Sequence, residues 1–278
     1  MITRITIARM LMFSLTGMAL IAATTFNDDI AQWRKQRVER LKADGGWLTV
    51  AGLFWLHEGA NTFGKDERNE IVLPDGPAHA GVFELKSGKV TVKMNGTEKE
   101  LWPDSLDVAQ AGRVKLYVIK RGDKVGIRVK DPDSEYRLNF HGIENYPAKE
   151  EYRVTAKWVP DEKEIPILNI IGITEPLKSP GVAVFRLGGK EYRVRPVFET
   201  PDAKELFYIF KDETSGKETY GAGRFLYSEM PVDGKVVVDF NKAYNPPCAF
   251  TPYATCPLPP AENKLPVRIE AGEKKYGH

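Results

Sequence analysis

The hydrophobic pattern changes once along the chain, from a helical period to a strand period. Within residues 28–43, Ile30, Trp33, Val38 and Leu41 fall on one face of a helix. Carboxylates open this stretch and two glycines follow it, which are the usual start and stop signals of a helix. We expect the opposite face to be solvated, because it carries the basic residues Arg34, Lys35, Arg37, Arg40 and Lys42.

After Gly46, apolar residues recur at every second position, the period of a strand with one buried face. Alternating runs of this kind lie at 89–94, 124–130 and 151–158. Two short continuous apolar runs, 206–210 and 236–238, indicate strands that are buried on both faces. Turn signals separate these runs, among them Asn95-Gly96, Gly122-Asp123, Gly188-Gly189, Ser215-Gly216 and Asp233-Gly234.

This spacing predicts an all-β fold of about a dozen mainly antiparallel strands behind one N-terminal helix. The architecture that fits is a barrel or a strongly bent sandwich. Residues 245–266 contain seven prolines in 22 positions, and they cannot be central strand because each proline removes a ladder donor. We expect this long proline-rich C-terminal loop to wrap over the sheet or to line a cleft. Residues 27–278 are predicted to form a single β-rich domain.

The first 26 residues are typical of a secretory signal peptide. Arg4 and Arg9 precede 14 uncharged, mostly apolar residues at 10–23, a run shorter than the roughly 20 that a membrane span needs. Small residues at 22–24 suit cleavage, and the alternative is an uncleaved anchor. We therefore expect an exported protein, periplasmic or extracellular, with no membrane span once the signal is removed.

Charge and motifs exclude several functional classes. The chain has 40 basic and 38 acidic residues, and two of the basic ones lie in the leader, so 38 of each remain. Such a balance argues against binding nucleic acid by bulk charge. No P-loop, dinucleotide fingerprint, nucleophile elbow or zinc-protease motif occurs. No metal site is predicted, because no ligand spacing joins the four histidines, which are His57, His79, His141 and His278. The cofactor and the oligomeric state stay unassigned.

The densest block of aromatic, glycine, proline and amide residues spans 219–273. It contains Thr219-Tyr-Gly-Ala-Gly-Arg224-Phe-Leu-Tyr227, Val238-Asp239-Phe-Asn241 and Ala243-Tyr-Asn-Pro-Pro-Cys248-Ala-Phe-Thr-Pro-Tyr-Ala-Thr-Cys256. With this block the chain resembles the uncharacterised family DUF1684 (domain of unknown function). The resemblance extends back through 140–143 and 121–128 to Trp33, over nearly all of the mature chain. It implies that the block and the β region form one family unit, and it implies no activity.

A polar cluster beside the proline-rich loop is the predicted small-molecule site. If the strands around Asp233-Gly234 form a hairpin, Arg224 lies opposite position 243 and reaches Asp239 only diagonally. The candidate ligand-binding residues are Arg224, Tyr227, Asp239, Asn241, Tyr244, Asn245 and Tyr253. The alternative is a buried hydrogen-bond network that ties the loop to the sheet.

Two cysteines, Cys248 and Cys256, close a nine-residue loop. In an oxidising compartment a structural disulfide is the default. A reactive thiol and a metal ligand are the open alternatives.

Three functions follow from these residues. The first is a small-molecule site beside residues 239–256, belonging either to a binder or to an enzyme with Asp239 or Glu273 as acid or base. The second is a structural or interaction module in which the block is a folding device. The third is a thiol-dependent enzyme using Cys248 or Cys256. A polar cavity beside the loop favours a site, whereas a solid apolar core beneath it favours the module.

Overall fold

The computed structural model describes residues 26–277, and most of the regular backbone is strand. One N-terminal helix, α1, covers residues 26–42, close to the predicted 28–43. A short second helix, α2, covers Glu135–Leu138. The predicted signal peptide lies outside the described residues except for Phe26. Within the described part of the chain, no helix is long and apolar enough to cross a membrane.

Fifteen strands are present in residues 26–277. The first nine are β1 Val50–Trp55, β2 Gly59–Gly64, β3 Ile71–Val72, β4 Gly81–Lys86, β5 Lys89–Met94, β6 Thr97–Leu101, β7 Val108–Ala111, β8 Val114–Arg121 and β9 Lys124–Lys130. The other six are β10 Arg153–Leu168, β11 Thr174–Leu187, β12 Lys190–Val194, β13 Glu205–Phe210, β14 Arg224–Glu229 and β15 Lys235–Asp239. The predicted runs 89–94 and 124–130 coincide with β5 and β9.

The first nine strands form two sheets around one core. Their orders are β1-β9-β8-β7 and β3-β2-β4-β5-β6, and all their pairings are antiparallel except β2 with β3. The odd-numbered residues 125–129 of β9 point into this core, as the alternation predicts. Phe63 and Phe83 of the other sheet stack there, with ring centroids 4.4 Å apart. The opposite face of β9 carries Arg128, which lies close to Cys256 of the C-terminal half.

The C-terminal half is also layered. One sheet has the order β12-β11-β10-β15, and β13 pairs with β14 in a two-stranded sheet. Between them, Phe185, Phe210 and Phe240 form the centre of a second core, with Phe185 and Phe240 ring centroids 5.4 Å apart. The all-β fold is confirmed: the described strands form sandwich-like layers rather than a closed barrel.

The turn predictions succeed locally. Asn95 and Gly96, with φ of 51° and 72°, join β5 to β6, and two consecutive positive φ values are what a two-residue type I′ turn requires. Asp233 and Gly234, with φ of 50° and 69°, have the same geometry.

The predicted hairpin around Asp233-Gly234 is wrong, because its two flanking strands do not pair. β14 pairs with β13, whereas β15 pairs with the edge of β10 over Arg153–Lys157. Pro231 lies between them and has no N–H for a ladder. The run 236–238 is also not buried on both faces, since Val237 is 46% exposed. The two strands therefore belong to different sheets.

Helix α1 packs through its apolar stripe, as the sequence predicts. The prediction that Arg37 lies on the solvated face is wrong. Ile30 and Leu41 are each 1% exposed. Arg37 is only 8% exposed rather than solvated, because it lies four residues after Trp33 and four before Leu41, on the same face. A charged side chain on the buried face requires a partner, which lies near the C-terminus.

The proline-rich segment 245–266 contains no strand and crosses between the two halves. The Leu258 N–H donates to the Leu168 carbonyl at 2.7 Å, and the Ile170 N–H donates to the Cys256 carbonyl at 3.0 Å. The Thr251 hydroxyl donates to the Val50 carbonyl at 3.0 Å. The segment thus ties the end of the β10–β11 hairpin to β1.

Candidate ligand-binding cleft

A cleft of about 920 Å³ opens where α1, β14, β15 and the proline-rich segment meet. β14 and β15, which belong to different sheets, both contribute side chains to its walls. Its lining contains ten charged and five aromatic residues. The main contributors are Trp33, Arg37, Arg40, Trp47, Arg121, Arg153, Glu199, Tyr227, Asp239, Tyr244, Thr255 and Cys256.

Stacked tyrosines form one wall of the cleft. The rings of Tyr227 and Tyr244 are stacked with centroids 6.3 Å apart, and Phe207 stacks on Tyr227 at 4.8 Å. The Tyr227 hydroxyl donates to Glu199 Oε2 at 2.5 Å. Burial raises the pKa of both tyrosines, so both phenols keep their protons at neutral pH. The wall therefore offers flat apolar faces and one hydroxyl-carboxylate pair.

Behind this wall, Arg37 joins α1 to the C-terminal end of the chain. Its Nε lies 3.0 Å from Glu273 Oε1, and its Nη2 donates to the Asn245 carbonyl at 2.9 Å. The guanidinium carbon sits 4.5 Å from the centroid of the Tyr244 ring, in cation–π range. Burial raises the pKa of Glu273, and the charge of Arg37 opposes that shift. Arg37 was missed as a site residue although its position on the apolar stripe marked it.

Asp239 lines the cleft and has one buried carboxylate oxygen without a hydrogen-bond partner. Its Oδ1 accepts from the Asn241 backbone N–H at 3.1 Å and from Asn241 Nδ2 at 2.9 Å. Its Oδ2 is buried and has no hydrogen-bond partner. The nearest cation, Arg153 Nε, is 3.9 Å away, beyond hydrogen-bond distance. Since buried polar atoms are nearly always satisfied, this oxygen has bonding capacity to spare.

The cleft rim carries further charge that the described residues do not neutralise. Arg40 and Lys235 line the cleft, and neither makes an ion pair with any residue in 26–277. Lys242, by contrast, is held by Asp29 at 2.8 Å. The Arg121 Nε donates to the Thr255 hydroxyl at 3.0 Å. Glu205 and Glu229 line the cleft as well, also without an ion pair in 26–277, so six cationic side chains stand against four acidic ones in its lining.

The structure divides the predicted cluster. Tyr227, Asp239 and Tyr244 line the cleft, and the other four candidates do not. Arg224 is fully buried and binds Asp212 at 3.2 Å, not Asp239; it also donates to the carbonyls of Ile269 and Ala271.

The remaining candidates hold backbone or pack on a ring. Asn241 bonds the backbone N–H and carbonyl of Lys149, each at 2.9 Å. Asn245 Nδ2 donates to the Lys274 carbonyl at 2.7 Å. Tyr253 packs edge-on against Tyr136, with ring centroids 6.4 Å apart. Ligand contact by any of the seven stays a prediction.

Both cysteines are free thiols in the structure. The Cys248 backbone N–H donates to Cys256 Sγ at 3.1 Å, and the Tyr220 hydroxyl donates to the Cys248 carbonyl at 3.1 Å. Burial raises the pKa of the Cys256 thiol, which makes it a poor nucleophile at neutral pH. The disulfide stays a prediction. Among residues 26–277, no group of three or more metal-ligating side chains converges.

Comparison with known proteins identifies a family and a similar solved structure. Residues 138–274 match the family model described as protein of unknown function DUF1684, a shorter stretch than the resemblance predicted. A similar solved structure is the solution NMR structure of an uncharacterised protein from gene locus rrnAC0354 of Haloarcula marismortui. It has 28% identity and a TM-score of 0.42, over 50% of this chain and 78% of that one. No curated protein matches the chain.

Proposed function

Since residues 138–274 belong to the DUF1684 family, whose members have no established activity, we propose from its own residues that this protein binds a small organic molecule in the cleft. The observation that carries the proposal is Asp239 Oδ2, a buried carboxylate oxygen without a partner on the wall of a cavity of about 920 Å³. Small-molecule sites are concave, largely apolar and oriented by a few polar groups.

The lining favours a particular kind of ligand. Tyr227 and Tyr244 present stacked rings, which suit a flat or apolar portion of a molecule. Asp239 Oδ2 accepts hydrogen bonds, so the ligand carries an N–H or O–H donor at that point. The polar cavity beside residues 239–256 supports a site over a purely structural module. The raised pKa of Cys256 argues against that thiol as a nucleophile, whereas a hydrogen bond with Cys256 lowers the pKa of Cys248, so the thiol-dependent alternative rests on Cys248.

Export is part of the proposal. Arg4, Arg9 and the apolar run after them support secretion of the mature domain. In that setting a molecule collected outside the cytoplasm is the ligand. Cys248 and Cys256 are then joined, because oxidising compartments favour disulfides and the Cys248 nitrogen already lies 3.1 Å from Cys256 Sγ.

Ligand capture from a small-molecule extract of the producing cells tests the binding site. Purified protein is incubated with the extract and filtered, and the retained molecules are identified by mass. Asp239→Asn keeps an acceptor oxygen for Asn241 and places an N–H₂ group, which cannot accept a hydrogen bond, where Oδ2 was. We expect the affinity of the retained molecule, measured by calorimetry, to fall about 10- to 100-fold, the range for hydrogen bonds to charged groups.

The matched control is Asp233→Asn, which makes the same change at an exposed turn outside the cleft and should leave the affinity unchanged. Equal affinities for both variants and the wild type would contradict the proposal, as would the absence of any retained molecule. The masses recovered after long incubation separate a binder, which returns the molecule intact, from an enzyme.

A further inference from the structure

Among residues 26–277, one of the four buried arginines lacks a carboxylate partner. Arg37 pairs with Glu273 at 3.0 Å, Arg195 with Glu262 at 2.9 Å and Arg224 with Asp212 at 3.2 Å. The fourth, Arg128, is 7% exposed. Its side chain makes neither an ion pair nor a hydrogen bond with any residue in 26–277, and its Nε and Nη2 are buried without partners.

The surroundings of Arg128 belong to the cleft. Arg128 lies on the face of β9 that is turned away from the N-terminal core, with its guanidinium carbon 4.9 Å from the centroid of the Trp47 ring. The charges of Arg121 and Asp104 and the thiol of Cys256 act on it at close range, and Asp104 is itself paired with Arg121 at 3.1 Å. Trp47, Arg121 and Cys256 all line the cleft. The unpartnered guanidinium therefore stands directly behind one end of that cavity.

This arrangement is costly without an anion. A buried charge needs a paired and hydrogen-bonded counter-charge, because desolvation otherwise opposes folding. Burial and the nearby positive charge of Arg121 lower the pKa of Arg128 to about 10, which still leaves it protonated at neutral pH. Arg128 offers planar donors of the kind that bind oxyanions. Beside it, Arg121 already binds Asp104 through Nη1 and Thr255 through Nε, which leaves its Nη2 as a second donor.

We propose that Arg128, together with Arg121, binds an oxyanion of the ligand, a carboxylate or a phosphate, at the end of the cleft formed by Trp47 and Thr255. The inference rests on the proposed ligand-binding function and narrows its ligand to an anion. Cation–π contact with Trp47 orients the fork of Arg128. The hydroxyl of Tyr227 and the carboxylate of Asp239, which also line the cleft, then bind other parts of the same molecule.

Thermal unfolding of the mature protein with inorganic phosphate or benzoate tests the subsite, against sodium chloride at equal ionic strength. At a probe concentration about tenfold above Kd, the wild type should gain about 3–6 °C in Tm with at least one probe, and the probe that acts identifies the oxyanion. Arg128→Met should lose this gain while its own Tm, without probe, equals or exceeds that of the wild type, since an uncompensated buried charge has been removed.

Two variants keep the test decisive. Arg193→Met removes the same charge from an arginine whose side chain is 73% exposed and should retain the full gain. Arg128→Lys keeps the charge without the planar fork and should retain less than half of the gain. A gain in Tm that persists in full in both Arg128 variants would overturn the subsite. So would the absence of a gain with both probes.

The outcome also separates the two proposals. If Asp239→Asn lowers the affinity for the retained molecule but the gain in Tm with the probe does not depend on Arg128, only the oxyanion subsite fails. If the gain in Tm depends on Arg128 while Asp239→Asn leaves the affinity for every retained molecule unchanged, the wider cleft proposal fails.

Discussion

At the scale of single residues, the fold separates polar groups that hold backbone from polar groups with bonding capacity to spare. Arg224 is mostly used, since its terminal nitrogens bind Asp212 and two carbonyls of the C-terminal segment, and only its Nε is buried without a partner. Asp239 lines the cleft with one carboxylate oxygen unpartnered, and two guanidinium nitrogens of Arg128 are buried without partners. In the sequence these residues look alike, and only the surrounding contacts distinguish an anchor from a ligand group.

Arg224 is therefore expected to govern stability. Arg224→Met leaves the carboxylate of Asp212 buried without its counter-charge, and breaking a buried pair in this way costs about 3–5 kcal/mol. Urea unfolding followed by tryptophan fluorescence measures the loss. The control Arg193→Met, on an exposed side chain, should stay within about 0.5 kcal/mol of the wild type. A loss below about 1 kcal/mol for Arg224→Met would refute the anchor role.

At the scale of elements, the sequence predicts what is local and fails where distant strands compete. The alternation in β5 and β9 and the turn at Asn95-Gly96 were predicted because each depends on its own residues. The predicted pairing of β14 with β15 is wrong, because the open edge of β10 pairs with β15 instead. The same limit applies to the site: the proximity of Tyr227, Asp239 and Tyr244 followed from one block, whereas Trp33 and Trp47 reach the cleft from distant segments.

One buried ion pair, Arg37 with Glu273, adds to the apolar contacts that attach helix α1. Glu273→Gln preserves an acceptor for the Asn245 N–H but leaves Arg37 buried without a counter-charge. We expect the free energy of unfolding to fall by about 1–3 kcal/mol, with faster hydrogen exchange in residues 30–42 than in β9. Glu270→Gln, on a half-exposed side chain, is the matched control. Unchanged exchange in α1 would show that the pair does not hold the helix.

At the scale of the whole molecule, two layered halves are joined by a segment that is poor in backbone donors. Residues 245–266 contact β1 through Thr251 and the β10–β11 hairpin through Leu258, and the cleft lies along their path. The composition of this segment excluded central strand, but which surfaces it crosses depends on tertiary contacts that no local pattern encodes. The cleft is thus a product of how the halves meet.

Export and the disulfide are predicted together. Protein expressed with its leader and recovered outside the cytoplasm should begin between about residues 22 and 27. Non-reducing peptide mapping should find Cys248 and Cys256 joined within the tryptic peptide 243–264, two hydrogens lighter than the dithiol. The double variant Cys248→Ala/Cys256→Ala should lose at most about 2.5 kcal/mol, the chain-entropy value for so short a loop. Recovery of chains that start at Met1 in the cytosol, with both thiols free, would contradict both expectations.

The most direct measurement is a crystal structure of the mature protein grown with the molecule that it retains from the cell extract. The account predicts density for that molecule in the cleft, with a hydrogen-bond donor within about 3.2 Å of Asp239 Oδ2 and a flat or apolar portion against Tyr227 and Tyr244. Density for the molecule on another surface, with only ordered water in the cleft, would contradict it.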